Sequence, residues 1–192
     1  MFLVKSFCTL KISSITNVKD FMNTKKLWVY RLLTWWMPES RCFAMKNVLL
    51  RWAGAKIGRN VRICTSTRIL GTGRLEIGDD VHIGSCAFIM PIAPSSVTIG
   101  NHVDIGPQVT ILTGSHMIDS NGEHIGGKGI SKSVIIGSGS WLGARSIILL
   151  GVKIPEKTLV AAGAVVTRSC LKPCMLLAGV PSVEKRCLMS SH

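Results

Sequence analysis

No stretch of this 192-residue chain approaches the roughly 20 consecutive apolar residues that a membrane span needs, so no transmembrane helix is expected. The opening residues, MFLVKSFCTLKISS, are broken by Lys5 and Lys11 before a secretory apolar core can form, and no signal peptide is expected either. The seven cysteines (Cys8, Cys42, Cys64, Cys86, Cys170, Cys174, Cys187) are odd in number and irregular in spacing. They fit neither a disulfide framework nor a metal-ligand pattern and point to a reducing, cytoplasmic setting. Acidic residues are scarce, ten against 23 Lys plus Arg, for a formal charge of +13. The imbalance is steepest in residues 1–56, with ten basic and two acidic side chains. Such charge invites a nucleic-acid reading, but no recognised module accompanies it and the cations coincide with a Trp-rich segment, so no nucleic-acid partner is expected. With 47% hydrophobic and only 17% charged residues the chain is not of disordered type, and its length predicts one domain with its own core.

Residues 136–168 also lack both common periods, the three-and-four spacing of a helix and the strict alternation of a half-buried strand. Instead a branched aliphatic recurs at every sixth position: Ile136, Leu142, Ile148, Ile154, Val160 and Val166. The same beat runs upstream as Ile57, Ile63, Ile69; Ile77, Ile83, Ile89; and Ile99, Ile105, Ile111. Gly follows the aliphatic at Gly58, Gly78, Gly84, Gly100, Gly106, Gly137 and Gly143, which predicts backbone freedom near a corner. Four residues after the aliphatic the side chain is mostly small or β-branched, as at Val61, Thr67, Val81, Ala87, Val103, Val109, Val152 and Ala164. This hexapeptide repeat marks a parallel β-helix in which each hexad is one side of a triangular coil. Five coils stacked about 4.8 Å apart predict a column on the order of 24 Å tall.

The reading divides the chain into an N-terminal basic and aromatic helical segment (1–56), the β-helix (57–171) with a protruding loop (117–135), and a C-terminal tail (172–192). In residues 25–37, KKLWVYRLLTWWM, two roles are open. One is a helix packing Leu27, Tyr30, Leu33 and Trp36 across the open end of the column, as terminal repeats require. The other is an interfacial helix with Trp28, Trp35 and Trp36 at headgroup level and Lys25, Lys26 and Arg31 meeting anionic lipid at the inner face of a membrane. Pro38 ends this element, and a second helix over residues 40–52 is expected to bury Phe43, Val48 and Leu49.

Spacing between coils locates the interruptions. The step from Ile57 to Ile77 is 20 residues, from Ile77 to Ile99 it is 22, from Ile99 to Ile136 it is 37, and from Ile136 to Ile154 it is 18. One large loop therefore leaves an otherwise regular scaffold, the place where function is usually carried. His116 is the last residue on the column before that loop, a position equally open to a surface histidine and to a residue of the chemistry.

The run Thr113-Gly114-Ser115-His116-Met117-Ile118-Asp119, then Trp141-Leu142-Gly143-Ala144, Gly151-Val152-Lys153-Ile154, Ala162-Gly163-Ala164-Val165-Val166-Thr167-Arg168 and Ala178-Gly179-Val180-Pro181, resembles the hexapeptide acyltransferases of the left-handed β-helix type. The likeness is to the galactoside, maltose and polysaccharide O-acetyltransferases and the related xenobiotic acetyltransferases, and it covers about residues 54–181. It implies a mainly β, left-handed parallel β-helix with a short N-terminal helical cap. It further implies acetyl transfer from acetyl-CoA to a sugar hydroxyl, in surface polysaccharide (O-antigen, capsule or exopolysaccharide) biosynthesis, with no metal. His116 would be the general base, since imidazole titrates near neutrality and an alcohol attacks poorly until its proton is removed. Its second ring nitrogen should donate to Asp119, the candidate orienter, or to a backbone carbonyl. Gly143, Ala144 and Ala162 would flank the pantetheine arm, Thr167 and Arg168 would approach the phosphates, and Lys185 and Arg186 would serve the adenosine end. The family arrangement is a homotrimer with sites between subunits.

Departures are visible too. No Asn stands near residues 86–91 to orient an acceptor, Val183 occupies a position that is usually basic, and residues 169–174 differ from the family pattern. A xenobiotic acetyltransferase and a non-enzymatic repeat scaffold are the alternatives. A zinc carbonic anhydrase of the same fold needs three converging histidines, and His82 and His102 occupy different positions of their hexads.

Overall fold

The computed structural model describes residues 21–188; the opening stretch read for a signal peptide, with Cys8, lies outside them. Two helices, α1 (Thr24–Thr34) and α2 (Phe43–Trp52), precede a left-handed parallel β-helix. The first coil is β1 (Lys56–Ile57), β2 (Arg62–Ile63) and β3 (Arg68–Ile69), and the second is β4 (Arg74–Ile77), β5 (His82–Ile83) and β6 (Phe88–Met90). The third coil is β7 (Ser96–Ile99), β8 (Asp104–Ile105) and β9 (Thr110–Leu112). A hairpin, β10 (Gly114–Ile118) and β11 (Gly126–Ser131), then leaves the column. The fourth coil is β12 (Val134–Ile136), β13 (Trp141–Leu142) and β14 (Ile147–Ile148), and the fifth is β15 (Lys153–Ile154), β16 (Leu159–Val160) and β17 (Val165–Val166). Finally β18 (Met175–Gly179) and β19 (Ser182–Cys187) pair antiparallel, and β18 stacks in parallel on β16.

Each face is a parallel ladder of equivalent strands. The first face runs β1-β4-β7-β12-β15, the second β2-β5-β8-β13-β16-β18-β19, and the third β3-β6-β9-β14-β17. Register places aliphatic on aliphatic, Ile57 on Ile77, Ile77 on Ile99, Ile99 on Ile136 and Ile136 on Ile154. All fifteen repeat aliphatics are buried in one continuous core. Full burial of such a side chain contributes roughly 1.5–3 kcal/mol, so the ladder of stacked aliphatics is the main source of stability.

The glycines after the aliphatics do a different job from the one expected. None of the seven has a positive φ; the left-handed residue is two places later, and except at Gly139 it is not glycine: Asn60, Asp80, Cys86, His102, Gln108 and Arg145. What requires glycine is close stacking. A Cβ on Gly137 would lie 2.4 Å from the Glu156 nitrogen, and one on Gly143 would lie 2.5 Å from the Ala162 nitrogen.

Unpaired carbonyls at the open end explain the cap. Bonds between coils run both ways: Gly58 N–H donates to the Ile77 carbonyl of the next coil, and Asp80 N–H donates back to the Arg59 carbonyl. First-coil carbonyls that take no bond from the second coil have no coil beneath them, and buried acceptors need partners. Helix α2 supplies these: Asn47 Nδ2 donates to the Val61 carbonyl at 2.8 Å, and Arg51 donates to Ile57 and Gly58 at 3.0 and 2.7 Å. Lys46, fully buried, donates to Thr65 Oγ1 at 3.1 Å. This corrects the expected apolar side of α2. Lys46, Asn47 and Leu50 face the column, whereas Val48 is exposed and Phe43 and Leu49 are half-buried. In α1, Leu27 and Tyr30 are buried as expected, but Thr34 takes the third inward position, and Leu33 and Trp36 are exposed.

Candidate active site

The three corners of the column are unequal. Every interruption found in the spacing emerges at the third corner, where the third face turns into the first face of the next coil: residues 70–73, residues 91–94 and the hairpin. A buried polar knot fastens the last two. Thr113, fully buried, accepts from the Ile92 N–H at 2.8 Å, and its hydroxyl lies 2.7 Å from that of Ser95. The Thr113 carbonyl accepts from Lys132 N–H at 2.8 Å, closing the base of the hairpin.

His116 lies on β10 opposite Gly129 of β11. Its Nδ1 is 2.9 Å from the Gly127 carbonyl oxygen. A carbonyl can only accept, so Nδ1 carries the proton, and in the neutral imidazole Nε2 then keeps its lone pair as an acceptor. A side chain at position 129 would meet nothing within 4 Å. Beside the ring is an open cleft of about 930 Å³ whose walls include Met90, Ile92, Pro94, Ile130 and Lys132. Asp119 is placed differently. Its carboxylate accepts from Asn121 and Gly122 N–H at 3.1 and 3.0 Å, forming the turn at the hairpin tip, while the imidazole bonds to Gly127.

The other sequence-selected residues fall in three places. Gly143 and Ala144 at the second corner of the fourth coil lie against Ala162 in the fifth: Gly143 N–H donates to Val160 at 2.8 Å and Gly163 N–H to the Ala144 carbonyl at 2.9 Å. Thr167 and Arg168 follow β17 at the third corner, exposed, two coils beyond the root of the hairpin. Lys185 and Arg186 are exposed on β19, with Arg186 opposite Leu176. None of the seven is among the residues lining the cleft beside His116. Sequence reading missed Gly127, Gly129 and the Ser95–Thr113 pair. A threonine at an inward-facing place at the root of the third interruption was the available signal. Among the described residues no group of three or more His, Cys, Asp or Glu is gathered as metal ligands.

With fold and site in view, the likenesses to known proteins fall into place. Residues 133–168 match the family model described as the hexapeptide repeat of succinyl-transferase. The chain is 31% identical over 160 residues to WcaF of Escherichia coli (strain K12), whose name provisionally describes it as a colanic acid biosynthesis acetyltransferase. That alignment covers 79% of this chain and 84% of WcaF. A galactoside O-acetyltransferase of Lactococcus lactis is 32% identical over 113 residues, covering 57% of this chain and 54% of its own. Among solved structures, the hexapeptide-repeat acetyltransferase VCA0836 of Vibrio cholerae O1 biovar eltor, complexed with acetyl coenzyme A, superposes with a TM-score of 0.61 at 26% identity, covering 87% of each chain. The chain belongs to the hexapeptide-repeat acetyltransferase family, and it is an acetyltransferase.

Proposed function

We propose that this chain is an acetyl-CoA-dependent O-acetyltransferase that acetylates a hydroxyl of a saccharide in surface polysaccharide biosynthesis, as O-antigen, capsule or exopolysaccharide. The observation that carries the reading is the His116 imidazole, whose Nδ1 proton is committed to the Gly127 carbonyl while Nε2 stands open beside a cleft. In this reading Nε2 takes the proton of the acceptor hydroxyl as its oxygen attacks the acetyl carbonyl. It then returns that proton to the departing thiolate sulfur, so that ester and free thiol leave and the histidine is neutral again. Gly127 is thus the orienting partner, and Asp119 acts indirectly by shaping the tip of the hairpin.

The co-substrate would lie along Gly143, Ala144 and Ala162, where the absence of bulk lets a ligand approach the backbone, with the cations Arg168, Lys185 and Arg186 and the Thr167 hydroxyl toward its phosphates. These residues and the His116 cleft are separate within one chain, which supports a homotrimer in which the hairpin of one subunit completes a site on its neighbour. The names of WcaF and of the galactoside enzyme support a sugar acceptor. The cellular setting proposed is the cytoplasm, with the segment 25–37 near the inner face of the membrane. Thiol release from acetyl-CoA, measured against a panel of sugars and antibiotics, tests the reading. A saccharide should be turned over, and turnover of antibiotics alone, or of no acceptor, overturns it.

A further inference from the structure

The capping helices present a second apolar surface that closure of the column does not use. Helix α1 packs on α2 and buries Leu27, Tyr30 and Thr34. On its other side Trp28, Leu32 and Trp35 recur four and three residues apart, 65%, 53% and 76% exposed. Helix α2 repeats the arrangement, with Lys46, Asn47 and Leu50 inward and Met45, Val48 and Trp52 outward. With Trp36, four of the chain's five tryptophans stand in solvent on this cap. A helix on the surface of a soluble domain ordinarily turns charged residues outward, and a contiguous exposed apolar patch marks a contact surface.

The charges identify the partner. Residues 21–56 hold seven Lys and Arg but a single acidic side chain, Glu39. That carboxylate is occupied by the Ser66 N–H and hydroxyl. Lys26 lies 4.9 Å from the centroid of the Trp52 ring and donates to the Trp52 carbonyl at 3.1 Å, so a cation is fixed within the aromatic surface. Arg31 joins Trp28, Trp35 and Arg68 around an open groove of about 520 Å³. Lys25 and Arg41 are exposed on the same cap. Tryptophans ringed by cations, with the one carboxylate already bonded, match the boundary of a bilayer, where indole rings settle among headgroups and Lys and Arg meet anionic lipid phosphates.

We propose that α1 and α2 dock the column on an anionic membrane surface, with the first coil toward the lipid. The contact is peripheral, since no helix among the described residues is long and apolar enough to cross a membrane. Taken with the saccharide acetyltransferase reading, on which this step alone rests, docking sets the height of the chemistry. The hairpin carrying His116 leaves the third coil, two coil spacings or about 10 Å above the first, and would work on a sugar whose lipid anchor lies in the bilayer.

The test floats the full chain with vesicles of phosphatidylcholine alone or mixed with phosphatidylglycerol. Retention on the anionic vesicles, release as salt rises, and quenching of tryptophan emission by lipids labelled near the headgroup are expected. Replacing both Trp28 and Trp35 by Ser should lower the bound fraction roughly tenfold while leaving circular dichroism and thiol release with a soluble acceptor unchanged. Failure to bind anionic vesicles, or equal binding by the double variant, overturns the proposal. So does finding the tryptophans of the lipid-free protein already shielded from acrylamide, which would mean that a second copy or residues 1–20 cover this face. Thiol release is read separately, so its absence would count against the acetyltransfer reading and not against docking.

Discussion

The first and third corners of the same column are built on opposite plans. At the first corner one hexad position repeats a single device through four coils: Arg59 N–H donates to Asp79 Oδ1, Asp79 N–H to Asn101 Oδ1, and Asn101 N–H to Ser138 Oγ, at 2.7, 2.8 and 3.1 Å. No residue is inserted there. At the third corner every coil is spaced differently, and the chain departs to build the hairpin that carries His116. A solenoid needs only part of each turn to hold its register. The remaining part is free to vary, and here it carries the candidate chemistry.

The largest expected effect separates the two plans outright. His116→Ala should lower acetyl transfer by about 10²–10⁴-fold with the melting temperature unchanged, because the side chain is exposed and bonded only to the hairpin. The check is thiol release together with a thermal melt. Retained turnover would remove His116 from the chemistry.

Stability should show the reverse pattern. Gly137→Ala puts a Cβ within 2.5 Å of two backbone atoms of the next coil and should cost about 3 kcal/mol. That corresponds to a melting point lower by roughly 6–12 °C for a chain of this size. Gly129→Ala on the hairpin meets nothing within 4 Å and should stay within about 0.5 kcal/mol of the parent. Equal losses at the two glycines would mean that the hairpin is as tightly packed as the column.

What the sequence disclosed follows the same division. All fifteen repeat aliphatics, their register and the number of coils were legible, because one physical demand recurs at a fixed interval. Glycine's role was misread, since a period shows where a residue recurs and not whether backbone angle or stacking requires it. The hairpin went unread because Gly114–Ile118 and Gly126–Ser131 are mostly exposed and carry no apolar alternation. Likewise β18 enters the core through Leu177, with Met175 partly buried against it, two residues and no period. The inward face of α2 was missed because the first coil's carbonyls call for donors, and hydrophobic patterning does not register Asn47 or Lys46. At the site, His116 stood out through its place at the loop junction. Its partner did not, since Gly127 contributes a carbonyl, a group every residue has.

The junction between column and hairpin should respond at an intermediate level. Thr113→Val keeps the volume but leaves the half-buried Ile92 N–H and the buried Ser95 hydroxyl without this partner, at a cost of about 1–2 kcal/mol. If the knot also positions His116, acetyl transfer should fall while affinity for CoA, measured by calorimetry, holds. A change in stability with unaltered transfer would leave the knot a purely structural fastener.

The smallest effect belongs to the regular corner and depends on pH. The guanidinium of Arg59 donates to Asp79 at 2.8 and 3.2 Å, and these bonds, with the Arg59 N–H, hold the Asp79 carboxyl below its usual range. A carboxylate whose folded pKa is depressed adds stability that is present above its unfolded pKa, about 3.9, and is lost as pH falls through the lower folded value. Asp79→Asn keeps an oxygen for the Arg59 N–H but removes the charge. The variant should therefore melt slightly below the parent at pH 6–7, and the gap should close as the pH is brought below about 4. Because both groups meet solvent, added salt should narrow the neutral-pH gap as well. Melts of both proteins across this range decide the point. A gap that persisted unchanged into acid would assign the ladder's contribution at this coil to its neutral hydrogen bonds, and the first corner would then hold its register without help from charge.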